Sequence, residues 1–184
     1  MCEFMNLFSP RRQSRQPDQP KLIRSKLMTR IFHKPVLLQE VLKFLHPEPN
    51  DIFVDATVGQ GGHAQALLEA SPPVVRLLAI DRDQSNLQIA KDRLKKYDKA
   101  VEYVCDSYAN LKSHAYDLQF NPVNGILLDI GFSSVHVDDP TRGFSFQNSG
   151  PLDMRYDRDQ ELTAEKIIGE RNEDELAEIF RKYG

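Results

Sequence analysis

The stretch Asp51-Ile-Phe-Val-Asp-Ala-Thr-Val-Gly-Gln-Gly-Gly-His63 decides the fold. Its first five residues are a short apolar run bounded by carboxylates, the pattern of a buried strand. Glycines at 59, 61 and 62 follow, and His63 to Ala70 reads as a helix. Glycine belongs where a strand turns sharply into a helix and the backbone must come close to a ligand.

The same alternation continues outward from this turn. Val74 to Ile80 reads as a second strand closing on Asp81, and Val101 to Cys105 as a third. Gly125 to Ile130 is a fourth, apolar until Asp129. Between them lie an amphipathic helix over Ser85 to Tyr97, with Asp83 as its N-cap, and a weaker one over Ser107 to Leu118. A further helical face, Val36 to Leu45, stops before Pro47. Strands alternating with helices at this spacing imply βαβ units and a parallel sheet, here in the order 3-2-1-4. Beyond Asp129 the chain changes character. Gly131 to Glu161 shows no sustained periodicity, and a loop of that length in a compact domain is usually functional or disordered. Helical pieces over Thr163 to Ile168 and Asn172 to Lys182 follow, the second opened by an Asn172–Glu175 capping box.

Composition narrows the class. With 184 residues, 40% hydrophobic and 28% charged, the chain suits one domain with a real core. No apolar run approaches the roughly 18–20 residues that cross a bilayer. Cys2 and Cys105 form no metal-ligand or redox pair by spacing, no metal site is expected, and Cys105 is placed in the core. The thiols fit a reducing, cytoplasmic setting. The formal charge of −3 argues weakly against a dedicated nucleic-acid binder. The first thirty residues differ: Arg11, Arg12, Arg15, Lys21, Arg24, Lys26 and Arg30 face only Glu3 and Asp18. That extension is expected to be disordered, as an RNA-contacting arm, as a leader for an organelle, or as sequence upstream of a start at Met28.

The candidate ligand site lies where the strands end. Asp81 closes the second strand about 20 residues after the glycine turn, where a carboxylate accepts ribose hydroxyls. Gly59-Gln-Gly-Gly-His-Ala64 fits the dinucleotide fingerprint literally. Asp55, four residues before the first glycine, speaks against a pyrophosphate and suits the cationic end of S-adenosylmethionine. Asp129 ends the fourth strand at the expected topological switch point. The competing readings are a dinucleotide-dependent oxidoreductase and a non-catalytic cofactor- or RNA-binding remnant.

Six segments together carry a resemblance: His33-Lys-Pro-Val-Leu-Leu38, Asp55 to His63, Ala79-Ile-Asp-Arg-Asp83, Asp129-Ile-Gly-Phe-Ser-Ser134, Arg142-Gly-Phe-Ser-Phe146 and Gly150-Pro-Leu-Asp-Met-Arg155. Over residues 33–184 the chain resembles the cytosine-N4 methyltransferases of small-subunit ribosomal RNA, the RsmH/MraW type. The resemblance implies a Rossmann-like class I methyltransferase fold, present as an incomplete parallel sheet. It divides the chain into an extension (1–30), a cofactor-binding domain (31–135), and an acceptor loop with the start of an inserted helical domain (136–184). It further implies a chain cut short at the C-terminus, with the activity of the fragment in question. S-adenosylmethionine is the implied cofactor, and small-subunit ribosomal RNA or the assembled subunit the implied partner.

The implied donor contacts are Gly61, Gly62 and His63 for the methionine part, Asp81 for the ribose, Tyr108 for the adenine, and Asp129 near the reacting end. His136 stands where the family usually has glutamine, Ile130 where it has leucine and Tyr156 where it has methionine. On the acceptor side, Arg142 and Arg155 are candidates for RNA phosphates, and Phe144 and Phe146 for stacking on an extruded base. Asp129 or Asp153 is the candidate acceptor for a hydrogen bond from the reacting amine.

Overall fold

The computed structural model describes residues 35–70 and 76–184. The basic extension, the His33-Lys34 end of the first resembling segment and the start of the second expected strand (Val74 and Val75) lie outside the described residues.

Four strands form a parallel sheet in the order β3-β2-β1-β4: β1 (Ile52–Asp55), β2 (Arg76–Asp81), β3 (Val101–Cys105) and β4 (Gly125–Leu127). Asp55 pairs in register with Ala79 on one side and Leu127 on the other, and Asp81 with Cys105. The carboxyl ends of all four strands therefore share one rim. The parallel sheet and its strand order are those the alternation predicts, and with its flanking helices the fold is Rossmann-like. β1 and β2 are buried through their centres, with Phe53, Val54, Leu77, Leu78, Ala79 and Ile80 inaccessible to solvent. Continuous apolar runs of this kind mark parallel strands covered on both faces.

Two clusters do the covering. On one face Phe53, Leu77 and Ala79 meet α2 (Gly62–Ala70) through Ala64 and Leu68, and α3 (Gln84–Leu94) through Leu87, Ala90 and Leu94. On the other, Val54, Leu78 and Ile80 meet Ala115 of α4 (Leu111–Asp117) and Phe120. Gly61, at φ +76°, takes a backbone region closed to most side chains, and a Cβ there would stand 3.4 Å from Ala90 and Leu94 of α3. Asp83 caps α3 as expected, accepting from the Ser85 amide at 2.7 Å.

Three expectations are corrected. The fourth strand ends at Leu127 rather than Ile130: β1 runs out at Asp55, and the Asp129 amide turns to the Thr57 hydroxyl at 2.7 Å. Cys105 is exposed rather than core, because β3 is an edge strand and its last residue faces outward. The 131–161 stretch also carries structure: α5 (Ser134–Asp138) and a 3-10 turn over Pro140–Arg142. The remaining helices are α1 (Leu38–Leu45), α6 (Ala164–Glu170) and α7 (Glu173–Tyr183), the last opened by the Asn172–Glu175 capping box that the sequence suggests.

A Cβ on Gly125 would come within 2.8 Å of both Leu45 and the Phe53 ring. Gly125→Ala should therefore cost about 1–3 kcal/mol by overpacking, read as a lower urea midpoint at unchanged slope.

Candidate functional site

Along the rim of the sheet lies a cleft of about 830 Å³, walled by the glycine turn, the ends of β2 and β3, and the chain after β4. Each wall has its own cause. β1 delivers Thr57, Gly59, Gly62 and His63; β2 delivers Asp81; β3 delivers Asp106 and Tyr108; and β4 delivers Asp129 and Phe132.

Carboxylates dominate this rim. Asp81 accepts from the Gly59 amide and the Asp83 amide, both at 2.8 Å, and from Asn86 Nδ2 at a long 3.5 Å. Burial raises its pKa, against those bonds. Asp55 lies beneath the turn, 1% exposed, bonded to the Thr57 amide at 3.3 Å. Desolvation, added to by the charges of Asp81 and Asp129, pushes its pKa up to about 7. Asp129 is exposed, with Oδ2 3.7 Å from His63 Nδ1. His63 is buried, and its Nε2 bonds the Val36 carbonyl at 2.8 Å, fastening the segment before α1 to α2.

Gly62, His63, Asp81, Tyr108 and Asp129 thus line one cleft, as do His136, Phe132 and Tyr156. Gly61 does not; it faces the α3 packing instead. Tyr108 presents a half-open ring, 44% exposed.

The loop after β4 differs most from expectation. Arg142 is buried, not free for phosphates: its guanidinium pairs with Asp83 Oδ2 at 2.6 Å and donates to the carbonyls of Arg155 and Tyr156 at 2.8 and 3.1 Å. His136 shares that carboxylate, Nε2 to Asp83 Oδ2 at 2.7 Å, while its Nδ1 accepts from the Ser133 amide at 3.0 Å. An Nδ1 that accepts leaves the proton on Nε2, the tautomer that donates to Asp83. Both ring nitrogens are used internally, so neither is left for a donor molecule. The imidazole fills the N3 place of a capping box, which a glutamine also fills. Burial alone would raise the Asp83 pKa; the bonds from His136, Arg142 and the Ser85 amide outweigh it and hold the carboxyl far below the usual range.

Arg155 and Asp153 satisfy one another. Nε and one terminal nitrogen of Arg155 grip both oxygens of Asp153 at 2.8 and 2.7 Å, and the other nitrogen donates to the carbonyls of Arg158 and Gln160. The Arg155 hydrogen bond holds the Asp153 pKa at about 2. Neither residue reaches the cleft wall. Phe144 is also committed, its ring 5.1 Å from His136 and 5.3 Å from Tyr156, with Phe132 at 6.2 Å. Tyr156 donates to the Gly131 carbonyl at 3.3 Å, a bond that methionine could not make. Gly143, at φ +74°, lets the two loop motifs meet: a Cβ there would collide with the Pro151 carbonyl and lie 2.7 Å from the Asp153 amide. Phe146 alone of the four acceptor-side candidates is fully open, at 98% exposed.

Sequence reasoning missed Phe132, 63% exposed on the cleft wall, although it sits inside the Asp129-Ile-Gly-Phe-Ser-Ser134 segment. It also missed Asn86, buried beside Asp81 and receiving the Ser133 hydroxyl at 3.1 Å. A polar residue on the buried side of an amphipathic helix was the available signal. Among the described residues no cluster of His, Cys, Asp and Glu is disposed to hold a metal ion, and no helix is long and apolar enough to cross a membrane.

The family model described as MraW methylase family matches residues 30–184. A "Ribosomal RNA small subunit methyltransferase H" of Halothermothrix orenii is 43% identical over 152 residues, 83% of this chain and 49% of that protein. Its namesake in Dehalococcoides mccartyi is 45% identical over 83% of this chain and 44% of its own length. The chain spans about half the length of these curated relatives. Among solved structures, an rRNA methylase from Streptococcus thermophilus aligns at 23% identity and a TM-score of 0.43, over 50% of this chain and 53% of the other.

Two measurements check the geometry. Arg142→Ala strands a buried carboxylate and should cost about 3–5 kcal/mol in urea unfolding, where loss of an exposed cation would cost under about 1. Asp55 holds a proton in the folded state between its ordinary range and about 7 that the unfolded chain releases. Stability should therefore fall as pH rises from about 4 to about 7 and level off above it, with Asp81 acting in the same sense. Asp55→Asn should flatten that slope in thermal unfolding.

Proposed function

The chain belongs to the MraW methylase family, and on that footing we propose that it carries the S-adenosylmethionine-binding part of an enzyme that methylates N4 of a cytidine in small-subunit ribosomal RNA. The observation that carries the reading is the charge of the rim. Asp81 ends β2, Asp106 and Asp129 follow β3 and β4 on the shared rim, and Asp55 is buried at the end of β1 with its pKa pushed up to about 7. A pyrophosphate would add charge to a place that cannot hold its own. A cation relieves it. This separates a sulfonium donor from a dinucleotide, although the glycine spacing fits either.

The chemistry of the residues present suits each part of such a donor. The Gly62–His63 turn and Asp129, together on the cleft wall, would hold the methionine and sulfonium end. Asp81 keeps acceptor capacity for a ribose, since the 3.5 Å bond from Asn86 is weak and readily exchanged for a hydroxyl. Tyr108 offers a ring to the base. When bound, the donor supplies a methyl carbon attached to positively charged sulfur. Nothing covalent is asked of the protein, and neither cysteine is needed.

Asp129, rather than Asp153, is the carboxylate suited to the acceptor amine. It is exposed on the cleft wall and not gripped by an arginine, whereas Asp153 is spent on Arg155. Its part is to accept an N4–H hydrogen bond, turn the nitrogen lone pair toward the methyl, and ease departure of the proton. Phe132 and Phe146 are the open aromatic faces on which an unstacked base can lie. Ribosomal RNA or the assembled small subunit is the corresponding partner.

Calorimetric titration separates the readings. S-adenosylhomocysteine should bind, and Asp81→Ala should weaken it at least about tenfold, or ~1.4 kcal/mol; binding of NADH in its place would overturn the donor reading. Asp129→Asn should lower methyl transfer to small-subunit ribosomal RNA far more than it weakens that affinity, since the bond to the acceptor amine is lost in addition to the charge offered to the donor. Full transfer by Asp129→Asn would remove it from the chemistry.

A further inference from the structure

The start of α5 is tied to the donor side of the cleft at two places. Ser133 Oγ donates to Asn86 Oδ1 of α3 at 3.1 Å, the two being 47 residues apart in sequence. Gln60 Nε2, in the glycine turn, donates to Ser134 Oγ at 3.0 Å, 74 residues away. All four residues line the cleft, and so does Phe132, the open ring next in sequence to Ser133. These ties are separate from the Asp83 anchor, which reaches the loop through His136 and Arg142.

Asn86 has a second end, turned to the ribose carboxylate. The residue is 2% exposed, so each polar atom of its amide needs a partner. Oδ1 has a good one in Ser133. Nδ2 has Asp81 Oδ2 at 3.5 Å, a distance at which a hydrogen bond is weak. Of about four acceptor positions on a carboxylate, Asp81 gives one on Oδ1 to the Asp83 amide and one on Oδ2 to the Gly59 amide, both at 2.8 Å. One place stays open on Oδ1, and the last, on Oδ2, is the one that Asn86 holds loosely. A ribose with two hydroxyls takes the open place and contends for the other. Its hydroxyl there donates to Asp81 and accepts from Asn86 Nδ2, which gives the buried amide the bond it lacks. Hydrogen bonds in a chain polarise one another, so an amide that donates better at Nδ2 accepts better at Oδ1. Filling the ribose place tightens the bond from Ser133.

We propose that Asn86 and Gln60 couple donor occupancy to the acceptor loop, so that a bound donor fixes Ser133, Ser134 and the Phe132 ring for the incoming RNA base. This rests on the donor reading above and deepens it. Both are positioning residues, acting on the acceptor side through Ser133 and Ser134. Gln60 lies between Gly59 and Gly61, so a ligand that orders the glycine turn orders its tie as well. Coupling is reciprocal: a loop held in place also raises affinity for the donor. The platform for the base is then complete only with a donor beside it.

The test is hydrogen exchange of the whole chain, read on peptides covering residues 131–136, without ligand and with saturating S-adenosylhomocysteine. The ligand should slow exchange there about fivefold or more, the low end of ordinary coupling. Asn86→Ala and Gln60→Ala should each reduce that factor, and the double variant should bring it near one while calorimetry shows the ligand still bound. Ser133→Ala cuts the Asn86 tie from the loop side and should reduce the factor as Asn86→Ala does. Ties that merely fastened the loop would speed exchange equally with and without ligand. An unmoved factor in the double variant or in Ser133→Ala would therefore overturn the proposal. So would a bound ligand that slows nothing at 131–136 in the unaltered chain. Failure of the unaltered chain to bind S-adenosylhomocysteine at all would overturn the donor reading, and this one with it.

Discussion

One buried carboxylate, Asp83, joins the two halves of the site. It caps α3 through the Ser85 amide and, with its other oxygen, receives Arg142 and His136 from the loop after β4. Taking a carboxylate and a guanidinium out of water is costly, and their attraction repays it only with good geometry and further bonds. Those bonds are present: three donors reach Asp83, and Arg142 adds two carbonyls. Such a pair is weak evidence of stability for its own sake. It fixes a register, tying the loop after β4 to one place on the sheet.

From that anchor the acceptor side follows. Arg142 gathers the backbone of Arg155 and Tyr156, and the Met154 amide returns to the Arg142 carbonyl at 3.0 Å. The rings of His136, Phe144 and Tyr156 close over the junction. Asp153 and Arg155 lock the outer turn. What remains exposed is correspondingly selected: Asp129 and Phe132 on the cleft wall, and Phe146 beyond it. Two residues apart in sequence, Asp81 and Asp83 divide the labour. One carboxylate faces the cleft, the other faces inward and holds the loop.

The fold was largely legible from the residues. Apolar runs ending in Asp55, Asp81 and Asp129, separated by helical patterns, gave strand identity and sheet order, and local rules placed the caps at Asp83 and Asn172. The cleft side of the site was legible for the same reason, since strand ends and a glycine turn are local features. The loop was not. Arg142, Arg155 and Phe144 look available in a polar, Gly- and Pro-rich stretch; the partners of Arg142 and Phe144 lie on other segments, while Arg155 turns back on Asp153, two residues before it, in a turn that no periodicity announces. His136 looked like an altered ligand contact. It keeps two structural bonds, one to its own helix start and one 53 residues away. Cys105 was misplaced because an apolar run does not say which strand is at the edge.

Hydrogen exchange of the Asp83→Asn variant tests most directly whether this one charge holds the acceptor loop. Asparagine caps helices about as well as aspartate, so α3 is preserved while the charge opposite Arg142 is lost. The expected result is faster exchange across residues 131–156, with β1 and β2 still protected. Unchanged protection of the loop would contradict the account, and would mean that the aromatic cluster and the Asp153–Arg155 lock hold it without Asp83.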